Sequence, residues 1–148
     1  MRAVLQRVSS AAVEIDGETV GRIGRGLAIL LAVHREDTDR DILWMAEKCA
    51  NLRIFENSGG KFDRSLLDTG GEVLVVSQFT LYGNCRRGRR PDFLEAAGPD
   101  IAVPAYEKFI LALREMGIRV ETGRFGARMS VDIENEGPVT LILDSREA

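Results

Sequence analysis

Histidine is almost missing: the 148-residue chain has one, His34. A Ser-His-Asp triad needs an imidazole between nucleophile and carboxylate, and a tetrahedral zinc site draws on several His or Cys ligands. One histidine and two cysteines, Cys49 and Cys85, leave little to build either from. The two thiols make no disulfide framework, so a reducing, cytoplasmic setting is expected. Long apolar runs are also missing. The longest, Leu27 to Val33, falls far short of the ~20 residues that cross a bilayer. Arg2 leads straight into strand-like sequence, with no signal-peptide pattern. Excess positive charge is absent too. The formal net charge is -3, so no global basic field advertises nucleic acid. No G-x-S-x-G elbow, P-loop, zinc spacing, internal repeat or interdomain linker occurs. One domain over residues 1–148 is expected, with no cofactor, no metal and no membrane partner.

What is there is mostly strand pattern. Val4, Gln6 and Val8 alternate with Ala3, Leu5 and Arg7, and Val13 and Ile15 carry the alternation on. Asp16-Gly17 is a hairpin signal before Thr19 to Ile23. Gly26 to Val33 reads as a buried central strand. Thr38 and Asp41 resemble a capping box, with Ile42, Met45, Ala46, Cys49 and Leu52 at helical spacing behind them. The spacing predicts a first helix over Asp39 to Arg53, with Cys49 in its core stripe. Asn57-Ser58-Gly59-Gly60 reads as a turn. Another strand is predicted from Glu72 to Phe79. Pro99 and Pro104 read as framing a loop, with Pro104 in the first turn of a second helix. Tyr106, Phe109, Ile110, Leu113 and Met116 form that helix's apolar face, and Gly117 its stop. Ile118 to Glu121, Ala127 to Glu134 and Val139 to Leu143 return to strand character. The expected fold class is α+β, a mostly antiparallel sheet curled into a barrel-like core with two main helices.

Two short segments stand out. Val73-Leu74-Val75-Val76 should stay apolar or stop, yet it delivers Ser77, Gln78 and Thr80 around Phe79. A polar outer face at a strand end explains this. So does a site where strand-end hydroxyls and backbone N–H groups converge on a small polar ligand, as in an oxyanion hole. The second segment is Asn135-Glu136-Gly137-Pro138-Val139-Thr140. Pro138 cannot donate to a ladder, so the pair Gly137-Pro138 is expected to break it and turn between two strands. By contrast, His34 reads as a surface or strand-end residue, Asp37 and Asp39 as helix-start carboxylates, and Asp132 and Glu134 as a solvated strand face.

Together, Ser77-Gln78-Phe79-Thr80-Leu81 and Asn135-x-Gly137-Pro138-Val139-Thr140 resemble the signature pair of the D-aminoacyl-tRNA deacylases. Phe125-Gly126-Ala127-x-Met129 and the opening Met1-Arg2-Ala3-Val4-Leu5-Gln6-Arg7-Val8 are similar to the same family, so the resemblance spans the chain. Gly83, where alanine is common, and Asp92, where serine is usual, depart from it. The resemblance implies a homodimer that hydrolyses the ester between a D-amino acid and the terminal adenosine of tRNA. It implies removal of glycine from mischarged tRNA(Ala) as well. It implies a cis Gly137-Pro138 bond, with that turn inserted in the partner's active site and held by Arg7. Catalysis would fall to Gln78, Phe79 and Thr80, and substrate binding to Ser77, Phe125, Met129, Gly137 and Pro138.

An aminoacyl ester is already activated. Positioning and an oxyanion donor can cleave it without a full triad, which suits a chain with one histidine. Arg86, Arg87, Arg89 and Arg90 form a local basic cluster, read either as a tRNA phosphate contact or as a solvated loop. The leading reading is therefore an esterase on aminoacyl-tRNA. The alternatives are a non-catalytic RNA-binding module and a small-ligand-binding β protein that merely dimerises.

Overall fold

Alternation along the first fifteen residues produces one long strand, β1 (Arg2–Ile15). In this computed structural model, which describes residues 1–148, β1 is the spine of the sheet. One of its edges carries β3 (Gly26–Ala32) and then, farther along, β2 (Glu18–Ile23), both antiparallel. The other edge carries β8 (Ser130–Asp144) over nearly its whole length. Asp16 and Gly17 sit at φ 51 and φ 80 between β1 and β2, the hairpin turn expected there. β6 (Glu72–Ser77) adds to β3, and β7 (Val120–Thr122) to β6; both of these pairings are parallel. The expectation of a mixed α+β fold with a barrel-like sheet holds, with a parallel patch inside an antiparallel frame. Closure is tight where β2 meets β7. A Cβ on Gly21 would lie 2.7 Å from the Thr122 carbonyl oxygen, so only glycine lets the two backbones approach.

The continuous apolar runs in β3 and β6 are buried on both faces, as parallel strands usually are. Leu27, Ile29, Leu31, Val73 and Val75 point to one core, packed under α1 (Asp39–Asn51) and α3 (Pro99–Glu115). Ala28, Leu74 and Val76 point to a second core inside the curl, with Val13, Ile15 and Ile23. β1 serves both. Ala3 and Leu5 belong to the first core, Val8, Ala11 and Val13 to the second, and the strand changes face across bulges on either side of Val8.

Several boundaries differ from the sequence reading. α1 stops at Asn51 rather than Arg53. The Asn57–Gly60 turn joins two short strands, β4 (Phe55–Glu56) and β5 (Phe62–Arg64), and a one-turn α2 (Leu66–Thr69) follows. β6 ends at Ser77, and Phe79–Tyr82 is a 3-10 turn. α3 starts at Pro99, not Pro104. Pro99 occupies the first turn, where its missing N–H costs nothing, and Pro104 follows in the second turn. Leaving the Asp100 carbonyl without that donor is tolerable on an exposed face. Asp37 is not a helix-start residue. It accepts the Met1 ammonium at 2.7 Å and the His34 N–H at 2.7 Å. His34 is buried rather than on the surface, its Nδ1 accepting from the Glu36 N–H at 3.1 Å and its ring edge-on to Tyr82. Cys49 is fully buried, and burial pushes its thiol up to about 12, which makes it an inert core residue.

The capping box at the start of α1 is formed: Asp41 Oδ2 accepts from the Thr38 N–H at 2.9 Å and its hydroxyl at 2.7 Å. Partial burial pushes the Asp41 carboxyl up. The Thr38 donors and the Ser145 hydroxyl outweigh it and hold the group down to about 2. A depressed folded value means that the stabilisation is complete above the unfolded value, about 4, and is lost as pH falls towards 2. Urea titrations at pH 5 and pH 2.5 should therefore differ less for Asp41→Asn than for the wild type.

Candidate active site

β3 and β6 run parallel and end side by side, and the crevice beyond the carboxyl ends of parallel strands is where open α/β sheets place their ligands. A cavity of about 310 Å³ lies there. The two cores meet at it: Leu31 and Tyr106 come from the helix side, Val76, Met129 and Val131 from inside the curl. Of the residues singled out from sequence, Ser77, Gln78, Phe79, Phe125 and Met129 all line this cavity. They come from two segments about fifty residues apart.

The local chemistry follows from how β6 stops. Gln78 N–H donates to the Leu31 carbonyl at 2.7 Å, the last rung towards β3. The chain then winds into the turn Phe79–Tyr82, where Leu81 N–H donates to the Gln78 carbonyl at 3.1 Å. The first N–H groups of any helical turn lack an internal acceptor. Those of Phe79 and Thr80 are these two, and neither finds another acceptor in the chain. Thr80 lies beside the cavity rather than in its lining, and its hydroxyl accepts from Gln78 Nε2.

Tyr106 is the site residue that sequence reasoning missed. It was read as one member of the α3 apolar stripe. Its hydroxyl donates to the Val75 carbonyl at 2.8 Å, and its ring meets Phe125 edge-on at 6.1 Å between centroids. Burial pushes the phenol up to about 12, so it stays a neutral donor. The signal available was the hydroxyl itself, since a buried tyrosine needs a partner for it. No group of three or more His, Cys, Asp or Glu side chains is placed to hold a metal ion. No helix is long and apolar enough to cross a membrane.

Gly137 and Pro138 lie apart from this cavity. They are exposed, and the bond between them is cis. They do not separate two strands as expected. β8 continues past them along β1: Val8 pairs with Asn135 and Gln6 with Thr140, so residues 136–139 bulge out of a ladder that resumes. Side chains bridge the gap. Asn135 Oδ1 accepts from the Val139 N–H at 3.1 Å, and its Nδ2 donates to the Thr140 hydroxyl at 2.9 Å. Arg7 supports the bulge from beneath. It is an inward-facing, buried residue of β1, and its Nη1 donates to the Ile54 carbonyl at 2.8 Å. Its Nε lies 3.4 Å from the Glu136 carbonyl and 3.3 Å from the Glu136 carboxylate.

Arg86, Arg87, Arg89 and Arg90 are exposed at the end of a loop and make no ion pair. The loop's base is cinched by Asn84 and Asp92, which exchange backbone bonds of 2.8 and 3.1 Å. Phe93, next along, sits edge-on to Phe79 at 5.1 Å between centroids. The basic loop therefore springs from the rim of the cavity.

A family model described as D-Tyr-tRNA(Tyr) deacylase matches residues 4–144. The chain belongs to this deacylase family. It is thus an enzyme, a carboxylic ester hydrolase. It is similar to the "D-aminoacyl-tRNA deacylase" of Thermus aquaticus, 59% identical over 99% of this chain and 97% of the relative. The protein of that name from Thermosipho africanus (strain TCF52B) is 56% identical over 99% of both. Among solved structures, "c-Myc DNA Unwinding Element Binding Protein" superposes with TM-score 0.91 at 42% identity, covering 97% of this chain and 98% of that one. A structure titled "Structural Analysis of a probable eukaryotic D-amino acid tRNA deacylase" shares the fold, with TM-score 0.83 at 23% identity over 96% and 97%.

Arg7→Met should keep the buried stem and lose the fork. It leaves the Ile54 carbonyl without its donor and the bulge without its support. A loss of about 1–3 kcal/mol is expected for such an orphaned buried group, read as a lower urea midpoint with an unchanged slope.

Proposed function

We propose that this deacylase hydrolyses the ester joining a D-amino acid, or glycine mischarged on tRNA(Ala), to the terminal adenosine of tRNA. The observation that carries the reading is the cavity that gathers Ser77, Gln78 and Phe79 at the end of β6 with Phe125 and Met129. The names and identities of the relatives support the substrate class. The aromatic and thioether side chains of Phe125 and Met129 suit the adenine face. Water adds to the ester carbonyl, and the negative charge that forms on its oxygen is met by the free N–H groups of Phe79 and Thr80. Collapse breaks the acyl C–O bond, the ribose oxygen leaves with the proton that the attacking water gives up, and the adjacent 2′-OH orients that water. Gln78 holds the Thr80 hydroxyl through its side-chain amide. A group with these two donors and no imidazole can work because the ester is already reactive. The reaction belongs in the cytoplasm, where charged tRNA is used.

The chiral filter follows from the bulge. In a homodimer the exposed Gly137-Pro138 turn enters the partner's cavity and sets rigid carbonyls against the α-carbon. Hydrogen is tolerated there and an L side chain is not, so the site selects by exclusion. The support for this reading is the exposure of the turn and the framework of Arg7, Asn135 and Thr140 that holds it. The basic loop grips acceptor-end phosphates. Binding without catalysis would need the loop alone and gives no reason for a cavity at its base.

Four experiments test this. Cleavage of D-Tyr-tRNA with L-Tyr-tRNA spared is expected; cleavage of neither ends the reading. Thr80→Ala removes a hydroxyl but keeps the N–H. Its single-turnover rate should stay near wild type, against the ~100- to 1000-fold loss typical when an oxyanion donor goes. Gly137 sits at φ +122, where a Cβ would meet Val139 Cγ2 at 2.9 Å and Arg7 Nη2 at 3.0 Å, so Gly137→Ala must displace the turn. The D-to-L ratio of kcat/KM should fall, and sedimentation should report a dimer. An unchanged ratio, or a monomer with full activity, removes the filter. Replacing the four loop arginines should flatten log affinity against log salt by roughly 0.7–0.9 per lost phosphate contact.

A further inference from the structure

Arg2 is remote in sequence from the residues of the cavity, yet it is the one side chain from β1 that reaches the turn Phe79–Tyr82 with a hydrogen bond. All of its guanidinium nitrogens are engaged. Nε and Nη2 donate to Asp144 Oδ2 at 3.0 and 2.8 Å, and Nη1 donates to the Leu81 carbonyl at 2.9 Å. The carbonyls at the end of a helical turn are left without internal donors. Leu81's natural closing partner would be the Asn84 N–H, but that group is committed to the Asp92 carbonyl at the base of the basic loop. Arg2 supplies the missing donor. The same guanidinium lies 4.7 Å from the centroid of the Tyr82 ring, which is buried and edge-on to His34. Arg2 thus holds the turn at two successive residues. Asp144, whose side chain is 8% exposed and whose other oxygen accepts from the Arg146 N–H, keeps the fork from swinging.

We propose that Arg2 is a positioning residue for the cavity: it pins the far end of the turn whose near end, at Gln78 and Phe79, lines the pocket. The near end is already anchored, because Gln78 N–H is bonded to Leu31. A 3-10 turn rises only about 2 Å per residue, so with both ends fixed there is little freedom left between them. Released at Leu81, the turn can unwind towards the basic loop and carry Phe79 and Thr80 with it. A surface ion pair alone contributes little, and Arg2–Asp144 read only as such would matter little to rate. The proposal predicts a rate effect instead. It rests on the deacylase reading for its catalytic half and on the geometry alone for its structural half.

The test uses the full-length protein with Arg2→Met, Arg2→Lys, Asp144→Asn and the Arg2→Met/Asp144→Asn double variant. Amide hydrogen exchange is the readout that needs no substrate. In Arg2→Met the Leu81 and Gly83 amides, both bonded within the turn, should exchange at least about tenfold faster, while Val75 in β6 stays protected. With D-Tyr-tRNA, kcat should fall by about 10- to 100-fold, the scale of a misplacement near 1 Å, with KM within about twofold. Lysine, which offers charge without a fork, should recover only part of the rate, and added guanidinium ion should rescue Arg2→Met where ammonium does not. Asp144→Asn should slow the wild type and add nothing to Arg2→Met. Unchanged exchange in the turn overturns the proposal. So does a kcat equal to wild type, or a loss that lysine repairs fully. If the wild type cleaves neither D- nor L-Tyr-tRNA, the deacylase reading falls by itself, and the exchange rates decide whether Arg2 pins the turn.

Discussion

Where β3 and β6 finish, a single backbone bond, Gln78 N–H to the Leu31 carbonyl at 2.7 Å, closes the last rung of the only long parallel ladder in the sheet. Much of the molecule is arranged by it. Parallel pairing makes both strands end on one level, and burial on both faces means that two cores run out together at that level. The space left between them is the cavity. The same bond ends the strand and starts the turn. The polar residues after Val76 are thereby delivered at the mouth of an apolar pocket instead of being carried on along the sheet.

The second constraint is Arg7. Burying a guanidinium is costly unless its donors are met, and here backbone carbonyls from two separate segments meet them. In return the bulge at 136–139, which has lost its ladder bonds to β1, rests on a charged platform rather than on solvent. Side-chain bonds from Asn135 replace the missing rungs across its neck. This is how an exposed turn can be stiff. Its rigidity comes from the sheet beneath it, not from anything the exposed residues do themselves.

Much of this was legible. The alternation in β1, the Asp16-Gly17 turn and the Thr38–Asp41 cap are local chemistry, and each formed as its residues require. The start of α3 was misplaced because the helical stripe begins strongly only at Tyr106, while Pro99 and Pro104 both carry the mark of a first turn. Parallel pairing of β3 with β6 was hinted by two runs without alternation, Leu27 to Val33 and Val73 to Val76, but which strands adjoin is not written in either. The bulge was read as a break because Gly137-Pro138 cannot sit in a ladder. The sequence does not reveal that β1 stays alongside and that pairing resumes at Thr140. Of the site, Ser77 to Thr80, Phe125 and Met129 stood out through their motifs. Tyr106 did not, because the carbonyl it bonds belongs to a strand thirty-one residues away.

The neck formed by Asn84 and Asp92 has a consequence for how such a protein can diversify. Both ends of residues 85–91 are tied to each other, and the contact with the cavity passes through Phe93 against Phe79 outside that tie. The intervening loop is in effect a cartridge. Its length and charge can drift, or be exchanged for another, while the pocket keeps its shape. Phe93 is the hinge pin, and a Cβ at Gly83 would lie 3.1 Å from its ring, so a larger residue there asks the ring to shift by a few tenths of an ångström. The charge of the loop and the shape of the pocket can then evolve at separate rates on one small scaffold.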